Sequence, residues 1–333
     1  MSNDNNISFQ EKMEQTMKRI HTDSFDNWLQ NFAINLNDIW NEPSAIQLGH
    51  KIDPTKTNEN FSAIVIGRGP SIKKHNHLEL LANSDYTGSI ICTDGSLISV
   101  LEAGITPDKF PKFYVVTIDP YSLIKKFYDN EIVKKYGSKI NGIFSIISHP
   151  DVVNHARKTG IKIHWLHTLF DYNEGKKSFN YISSMMVRAK NHPNGLPAIQ
   201  TGGNAGTSSW FVSWKILKNN TVGLIGINHG WEEHDNISEM IRSHQSENNT
   251  DTVDIIDKNN PKFNSYFKKL LHPDFNCTCI VDPLYQFYRL ALIEFIGRSP
   301  KWLTTINSTE GGSIFGKRIN SMMFKDFLKI YKN

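Results

Sequence analysis

The sequence predicts an α/β protein whose core is a doubly wound, Rossmann-like and mostly parallel sheet, with an N-terminal helical appendage and a helical C-terminal segment. One observation is the alternation, from Phe61 onward, of short β-branched runs with helical stretches. The runs are "SAIVIG", "GSIICTD", "FYVVTID", "GIFSIIS", "IKIHWL" and "TVGLIGIN"; the helical stretches include "SLISVLEAG" and "SSWFVSWKILKN". A second is that each run is apolar on both faces, as strands are when helices cover both sides of a parallel sheet. The third is a pair of glycine-rich strand–helix turns, "GRGPS" and "TGGNAG".

The elements follow in chain order. Over residues 8 to 40, Phe25, Trp28, Leu29, Phe32 and Leu36 recur at helical spacing behind Asp23 and Ser24, which suit an N-cap. One or two amphipathic helices are expected there, and the polar stretch "KIDPTKTNEN" reads as a linker, so residues 1–55 form an N-terminal unit. Residues 56–235 are the nucleotide-binding core. Beyond Trp231 the strand texture stops: residues 232 to 263 are polar, broken by "ENNTD" and "DKNNP", and read as a mobile loop or lid. "LYQFYRLALIEFI" is a strongly apolar helix, and the tail from Thr304 is turn-rich with a short closing helix. Residues 236–333 are therefore a loop and helical segment that completes the site.

Composition narrows the function classes. Of 333 residues, 39% are hydrophobic and 21% charged, as in a folded globular chain. The net charge of +4 suits an anionic ligand, but no Lys/Arg block is dense enough for nucleic acid. No run reaches the roughly 20 apolar residues of a membrane helix, and the polar start "MSNDNNISFQEKMEQ" lacks the apolar centre of a secretory signal. Cys92, Cys277 and Cys279 build no disulfide framework, and Cys277 and Cys279 stand one residue too close for a C-x-x-C pair. A cytoplasmic protein without a membrane span is expected.

The chemistry gathers at strand ends. Gly67, Gly69, Pro70 and Ser71 occupy the first turn, where an open α/β sheet binds phosphate on a helix N-terminus. The pattern is neither a P-loop nor G-x-G-x-x-G, since Ile72 holds the third glycine position, and a tight turn with an ordinary cap is the alternative. Asp94, followed by Gly95, ends the second strand where such folds place an acid on a ribose hydroxyl, or else caps the next helix. Asp119 ends the third strand, placed to act as a base or to hold magnesium through water, or to bond its own turn. Thr201, Gly202, Gly203 and Asn204 open the second turn onto a helix and suit an anion or a base; alternatively the glycines only let that helix pack close. His149 ends another strand. Glu310 and Gly311 stand in the tail, where the acid is placed for a sugar or ribose hydroxyl or to cap a turn.

In order, "IGRGPSI", "CTDGSLISVLEAGITPD", "YVVTIDP", "TGGNAGTSSWFVSWKIL", "GLIGIN" and "INSTEGGSIFGKRI" resemble the MptE-like superfamily, which includes motility accessory factor glycosyltransferases and archaeal 6-hydroxymethylpterin pyrophosphokinases. The likeness covers roughly residues 60 to 230 and 304 to 320. Gly202-Gly203-Asn204 and Thr309-Glu310-Gly311-Gly312 are similar to the motility-accessory branch, while Thr117-Ile118-Asp119-Pro120 carries one acid where the pyrophosphokinase branch is aspartate-rich. Asn228 stands where these proteins commonly carry Asp, and residues 232 to 280 match no motif of either branch.

The resemblance implies a transferase that uses a nucleotide-activated donor, a CMP-linked nonulosonic acid, and an acceptor hydroxyl on a protein or glycan. The donor phosphate would rest on Gly67 to Ser71, met by Lys73 or Lys74. Asp119 or His192 would take the acceptor proton; His192 enters because bacterial sialyltransferases show a similar spacing between a catalytic histidine and a Thr-Ser-Gly turn. The resemblance assigns no cofactor, and magnesium at Asp119 is compatible. One alternative is a magnesium-dependent transfer of diphosphate from ATP to a hydroxymethylpterin, with Asp94 and Asp119 as the acids and Asp108 behind them. Another is a catalytically silent nucleotide-binding module whose residues 8 to 40 dock a partner. If Gly69 fronts a phosphate, Gly69→Val is expected to abolish binding and spare stability.

Overall fold

The computed structural model describes residues 8–332, apart from 52, 57–58, 172–174 and 236–262. The greater part of the expected lid thus lies outside the described residues.

Nine parallel strands form the main sheet: β1 (Ser62–Ile66), β2 (Ser89–Thr93), β3 (Phe113–Thr117), β4 (Asn141–Ser145), β5 (Lys162–Leu169), β6 (Ala198–Gln200), β7 (Thr221–Ile225), β11 (Thr304–Asn307) and β12 (Ile319–Ser321). Their order is β12-β11-β7-β1-β2-β3-β4-β5-β6, with Val65 of β1 between Ile91 and Leu224. The chain steps outward from β1 to β6 and returns to β7 on the other side of β1, so the strand order reverses between β1 and β7. Open α/β sheets bind ligands at the carboxyl edge beside such a reversal.

The runs read as strands are buried on both faces for a visible reason. Ile64, Ile66, Phe113 and Phe144 belong to one apolar core, and Ala63, Val65, Tyr114 and Ile143 to the core on the opposite face. Helices α2 (Ser71–Lys74), α3 (His77–Ala82), α4 (Leu97–Glu102), α5 (Glu131–Tyr136), α6 (Pro150–Lys158), α7 (Phe179–Met186) and α8 (Ala205–Phe211) fall between the strands. A small antiparallel sheet, β8 (Trp231–Glu232), β10 (Thr278–Val281) and β9 (Lys268–Leu271), precedes the helix Pro283–Arg298. The C-terminal segment also gives β11 and β12 to the main sheet and ends in the helix Phe324–Ile330.

The N-terminal stretch is one 33-residue helix, α1 (Phe9–Asn41), started by a capping box between Ser8 and Glu11. Phe32 and Ile39 enter the main core. Its polar residues anchor it as well. Asn31 donates to the carbonyls of Pro120 (2.9 Å) and Ile147 (3.0 Å), and Asn35 to those of Ile146 (3.3 Å) and Ser148 (2.8 Å). These are carbonyls beyond the ends of β3 and β4 that no ladder satisfies, and both asparagine side chains are buried against them. Among the described residues no helix is long and apolar enough to cross a membrane.

Candidate functional site

At the reversal, the turn after β1 is locked to the turn after β7. Gly67 donates its N–H to Ile225 (2.9 Å) and Gly69 donates to Gly226 (2.8 Å), while Ile72 and Lys73 donate to Gly69 and Pro70. A Cβ at Gly67 would lie 2.4 Å from the Gly226 carbonyl oxygen, and one at Gly69 would lie 2.0 Å from Oδ1 of Asn228. The buried Ser71 hydroxyl donates to that same Oδ1 at 2.9 Å rather than capping α2. The glycines are thus required for close approach of two turns. The expectation that Gly69→Val spares stability is therefore corrected: Gly69 backs onto Asn228 and Gly226. Lys74 is also spoken for, since its ammonium pairs with Glu232. Lys73 is exposed.

One and two strands away, the predicted acids meet. Asp94 follows β2 and Asp119 follows β3, and because these strands are neighbours the two acids stand at adjacent strand ends, where the charge of one acts on the other. Asp94 is buried; its Oδ1 accepts the Gly95 N–H at 2.6 Å, and its Oδ2 has no hydrogen-bond partner among the described residues. Burial raises the Asp94 carboxyl well above the usual range and the charge of Asp119 adds to it, against the opposing pull of the Gly95 N–H, the Thr117 hydroxyl and Arg68. Burial raises Asp119 too.

Arg68 completes this group. Its guanidinium lies 5.4 Å from the centre of the Phe127 ring, and it has no ion pair among the described residues. A Cβ at Gly95 would stand 3.3 Å from Cδ of Arg68, so the glycine leaves room for the arginine stem to cross the β2 turn. Opposite stands the helix Pro283–Arg298, capped by Asp282, whose Oδ1 accepts the Tyr285 N–H at 2.7 Å. Burial pushes Asp282 up to about 6 and raises the Tyr288 phenol, with Asp119 the next cause for Tyr288.

Tyr288 connects the acids to the second glycine turn. Gly202 and Gly203 take φ of +56° and +81°, and a Cβ on Gly203 would lie 2.6 Å from the Tyr288 ring. Asn204 caps α8, its Oδ1 accepting the Thr207 N–H at 2.8 Å, and Thr201 Oγ1 accepts the Gly203 N–H at 3.1 Å. His229, at φ +41°, sits 6.0 Å from Tyr288 between ring centres, with Nε2 3.3 Å from Asn204 Oδ1 and a buried Nδ1 that has no hydrogen-bond partner among the described residues. Burial holds this imidazole neutral, down to about 3. Arg68, His229, Tyr285 and Tyr288 were given no role in the site by the sequence. The only local signal for any of them was position, next to Gly67 or just past Asn228.

The remaining candidates are engaged elsewhere. His192 is buried, with Nε2 2.7 Å from the Ile39 carbonyl and 3.0 Å from that of Glu42, so it fastens the end of α1 and is not brought to the acids. His149 caps α6, its Nδ1 accepting the Asp151 N–H at 3.2 Å. Glu310 accepts the Phe324 N–H at 2.8 Å and lies 3.5 Å from His77 and 3.6 Å from His75, while a Cβ at Gly311 would meet Glu232 at 2.3 Å. Asp108 pairs with Lys139 at the surface.

The geometry can be set against known proteins. The family described as 6-hydroxymethylpterin diphosphokinase MptE-like matches residues 30–234, more than half of the chain, and the chain belongs to this MptE-like family. No curated protein matches it. Among solved structures, the MAf glycosyltransferase from Magnetospirillum magneticum AMB-1 aligns with a TM-score of 0.53 and 14% identity, over 83% of this chain and 37% of its own. That likeness is one of fold, and this chain spans little more than a third of that protein's length.

Proposed function

We propose that this member of the MptE-like family is a transferase that uses a nucleotide-activated donor at the Asp94–Asp119 pair. The donor class is a CMP-linked nonulosonic acid, and the acceptor is a hydroxyl of a protein or glycan. The observation that carries the reading is that two acids stand at the ends of neighbouring strands, at the carboxyl edge near the reversal of strand order, with burial raising both carboxyls and beside them Arg68, which has no ion pair among the described residues. An acid raised toward neutrality is matched to proton transfer. The ionised member of the pair takes the hydrogen of the acceptor hydroxyl as it attacks, and the partner keeps its own proton. Negative charge on the leaving nucleotide phosphate needs fixed positive charge, which Arg68 supplies directly and the exposed Lys73 supplies nearby.

The same pair favours a second reading, diphosphate transfer from ATP to a hydroxymethylpterin. Magnesium takes oxygen donors, often one or two carboxylates with water and phosphate filling the shell. The free Oδ2 of Asp94 and the Asp119 carboxylate suit that role, although no group of three or more possible ligating side chains occurs among the described residues. When bound there, magnesium would neutralise phosphate charge. Arg68 would orient the phosphates, and Asp94 and Asp119 would hold the ion and so not act as bases.

Calorimetry with CMP, CDP, ATP and UDP, with and without magnesium, separates the readings. Tight binding of cytidine nucleotides without magnesium, with CMP released from a CMP-sugar and lost in Asp119→Asn, is the expected result. Magnesium-dependent ATP binding with AMP release would move the assignment to diphosphate transfer. Nucleotide binding with no turnover of any donor would leave a silent binding module.

A further inference from the structure

Helix α7, between β5 and β6, is apolar toward solvent as well as toward the core. On its inner side Ser183 is buried, and Phe179 packs on Phe32 of α1 with ring centres 5.4 Å apart. On its outer side Tyr181, Ile182, Met185 and Met186 are each between 42% and 48% exposed. Residues three and four apart share a helix face, so these four side chains form one patch. No charged residue occurs from Phe179 to Met186, whereas a surface helix ordinarily keeps charged side chains on its outer face. Trp40, 38% exposed, extends the patch, because its indole N–H donates to the Met186 carbonyl at 2.8 Å.

The border of this patch is positive. Lys176 and Lys177 lie in the short helical turn Gly175–Lys177 just ahead of α7, and Arg188 and Lys190 follow the helix. The loop after Lys190 is fastened to the patch, since Asn191 donates to the Trp40 carbonyl at 3.1 Å. All four cations are exposed and have no ion pair among the described residues. The acids at the end of α1, Asp38 and Glu42, are taken by Arg157 at 3.0 and 2.8 Å. Asp171 accepts the Phe179 N–H at 2.5 Å.

That charge pattern selects the partner. A symmetric pair of copies docked through this face would set the positive border against itself. An apolar centre inside a cationic border instead fits a surface that is anionic outside and apolar beneath. Isoleucine and methionine side chains need only apolar depth there, tyrosine and tryptophan settle at the headgroup level, and lysine stems reach up to the phosphates.

We propose that α7 and its flanking cations dock the protein on the surface of an anionic lipid bilayer. Ile182, Met185 and Met186 enter the acyl boundary, and the four cations rest on the headgroup phosphates.

The test is cosedimentation of the full chain with vesicles of phosphatidylglycerol and phosphatidylcholine in equal parts, alongside vesicles of phosphatidylcholine alone. Saturable binding to the anionic vesicles is expected, weakened by added salt and at least tenfold stronger than to the neutral ones. A cation at an anionic surface is worth roughly fivefold in affinity, so Lys176→Glu/Lys177→Glu should lose about tenfold or more. Met185→Ser/Met186→Ser should also weaken binding several-fold. Both pairs are exposed, so thermal unfolding should not move. Lys325→Glu/Lys332→Glu makes the same charge change on exposed lysines at and after the helix Phe324–Ile330, which follows the opposite edge strand β12, and should leave binding nearly unchanged. No sedimentation with anionic vesicles, equal binding to neutral ones, or an equal loss in the two lysine pairs would each overturn the proposal. Binding unaffected by Met185→Ser/Met186→Ser would overturn the insertion of α7. Equally tight binding of polyglutamate, lost in the same variants, would give the face to an acidic polypeptide instead. Self-association in sedimentation velocity that those variants abolish would give it to a second copy.

Discussion

The two glycine turns look alike in sequence and differ in physical cause. After β1, Gly67 and Gly69 are small because the backbone of Gly226 and the amide of Asn228 press against them. After β6, Gly202 and Gly203 bend the chain through left-handed backbone, and Gly203 also makes room for the Tyr288 ring. The first turn is a lock between strands on either side of the reversal. The second is a hinge of backbone shape beside the candidate site. Glycine in a strand–helix turn therefore marks crowding or curvature, and a ligand is a further claim needing its own evidence.

Breaking the lock should have the largest effect. Gly69→Val forces a side chain onto Asn228 and the Gly226 carbonyl, neither of which can retreat without moving β7. A loss of about 3 kcal/mol or more is expected in urea unfolding. Gly203→Ala should cost less, about 2 kcal/mol, from a left-handed alanine and a displaced tyrosine ring. It should also weaken nucleotide binding, which a purely local strain would not do. If both variants cost the same and neither touches binding, the distinction between lock and hinge fails. Ser71→Ala leaves Asn228 Oδ1 without its hydroxyl donor, and a loss of about 1–2 kcal/mol in stability is expected, with affinity for CMP unchanged.

Between the turns, the acid pair makes stability depend on pH. A carboxyl whose folded pKa is raised keeps its proton after the unfolded chain has lost one. Stability is then full below the unfolded value of about 4 and falls as pH climbs toward the raised folded value. Asp94→Asn should flatten that fall. Urea unfolding at pH 5, 7 and 8.5 should show the variant gaining on the parent by about 1 kcal/mol or more at the highest pH. A parallel pair of curves would mean that the folded chain does not raise the Asp94 carboxyl. The smallest effect on stability is expected for Arg68→Ala, within about 0.5 kcal/mol because the side chain is exposed. The same change should weaken CMP binding about tenfold or more and leave cytidine binding as it was.

Much of the sheet was legible because β1 to β5 and β7 are long enough to show β-branched runs buried on both faces. The strands "AIQ", "TTIN" and "INS" are too short and too polar for any periodicity, and they exist because a neighbouring strand offers a ladder. Asp94 and Asp119 were legible as strand-end acids, but their meeting depends on β2 and β3 being neighbours. Arg68 and Tyr288 come together from distant parts of the chain, which no local pattern reports. His192 was singled out for its spacing to the Thr201 turn, and spacing along the chain does not report that the carbonyls of Ile39 and Glu42, at the end of α1, hold the ring inside. On α1, amphipathic spacing alone would turn Asn31 and Asn35 to solvent, and the carbonyls beyond β3 and β4 draw them in.

Those two asparagines set the limits within which the gene can be cut. Asn31 grips Pro120, the residue after Asp119, and Ser24 holds Tyr121 at 2.8 Å, so α1 braces the turn that aims one of the acids. A fragment beginning at Phe61 would retain every main-sheet strand yet expose the carbonyls of Pro120, Ile146, Ile147 and Ser148 and the core face left by Phe32 and Ile39. Fusion partners and affinity tags therefore belong before Ser8, where the helix begins with its own cap, and a shortened expression clone that starts at the first strand should be recovered from inclusion bodies.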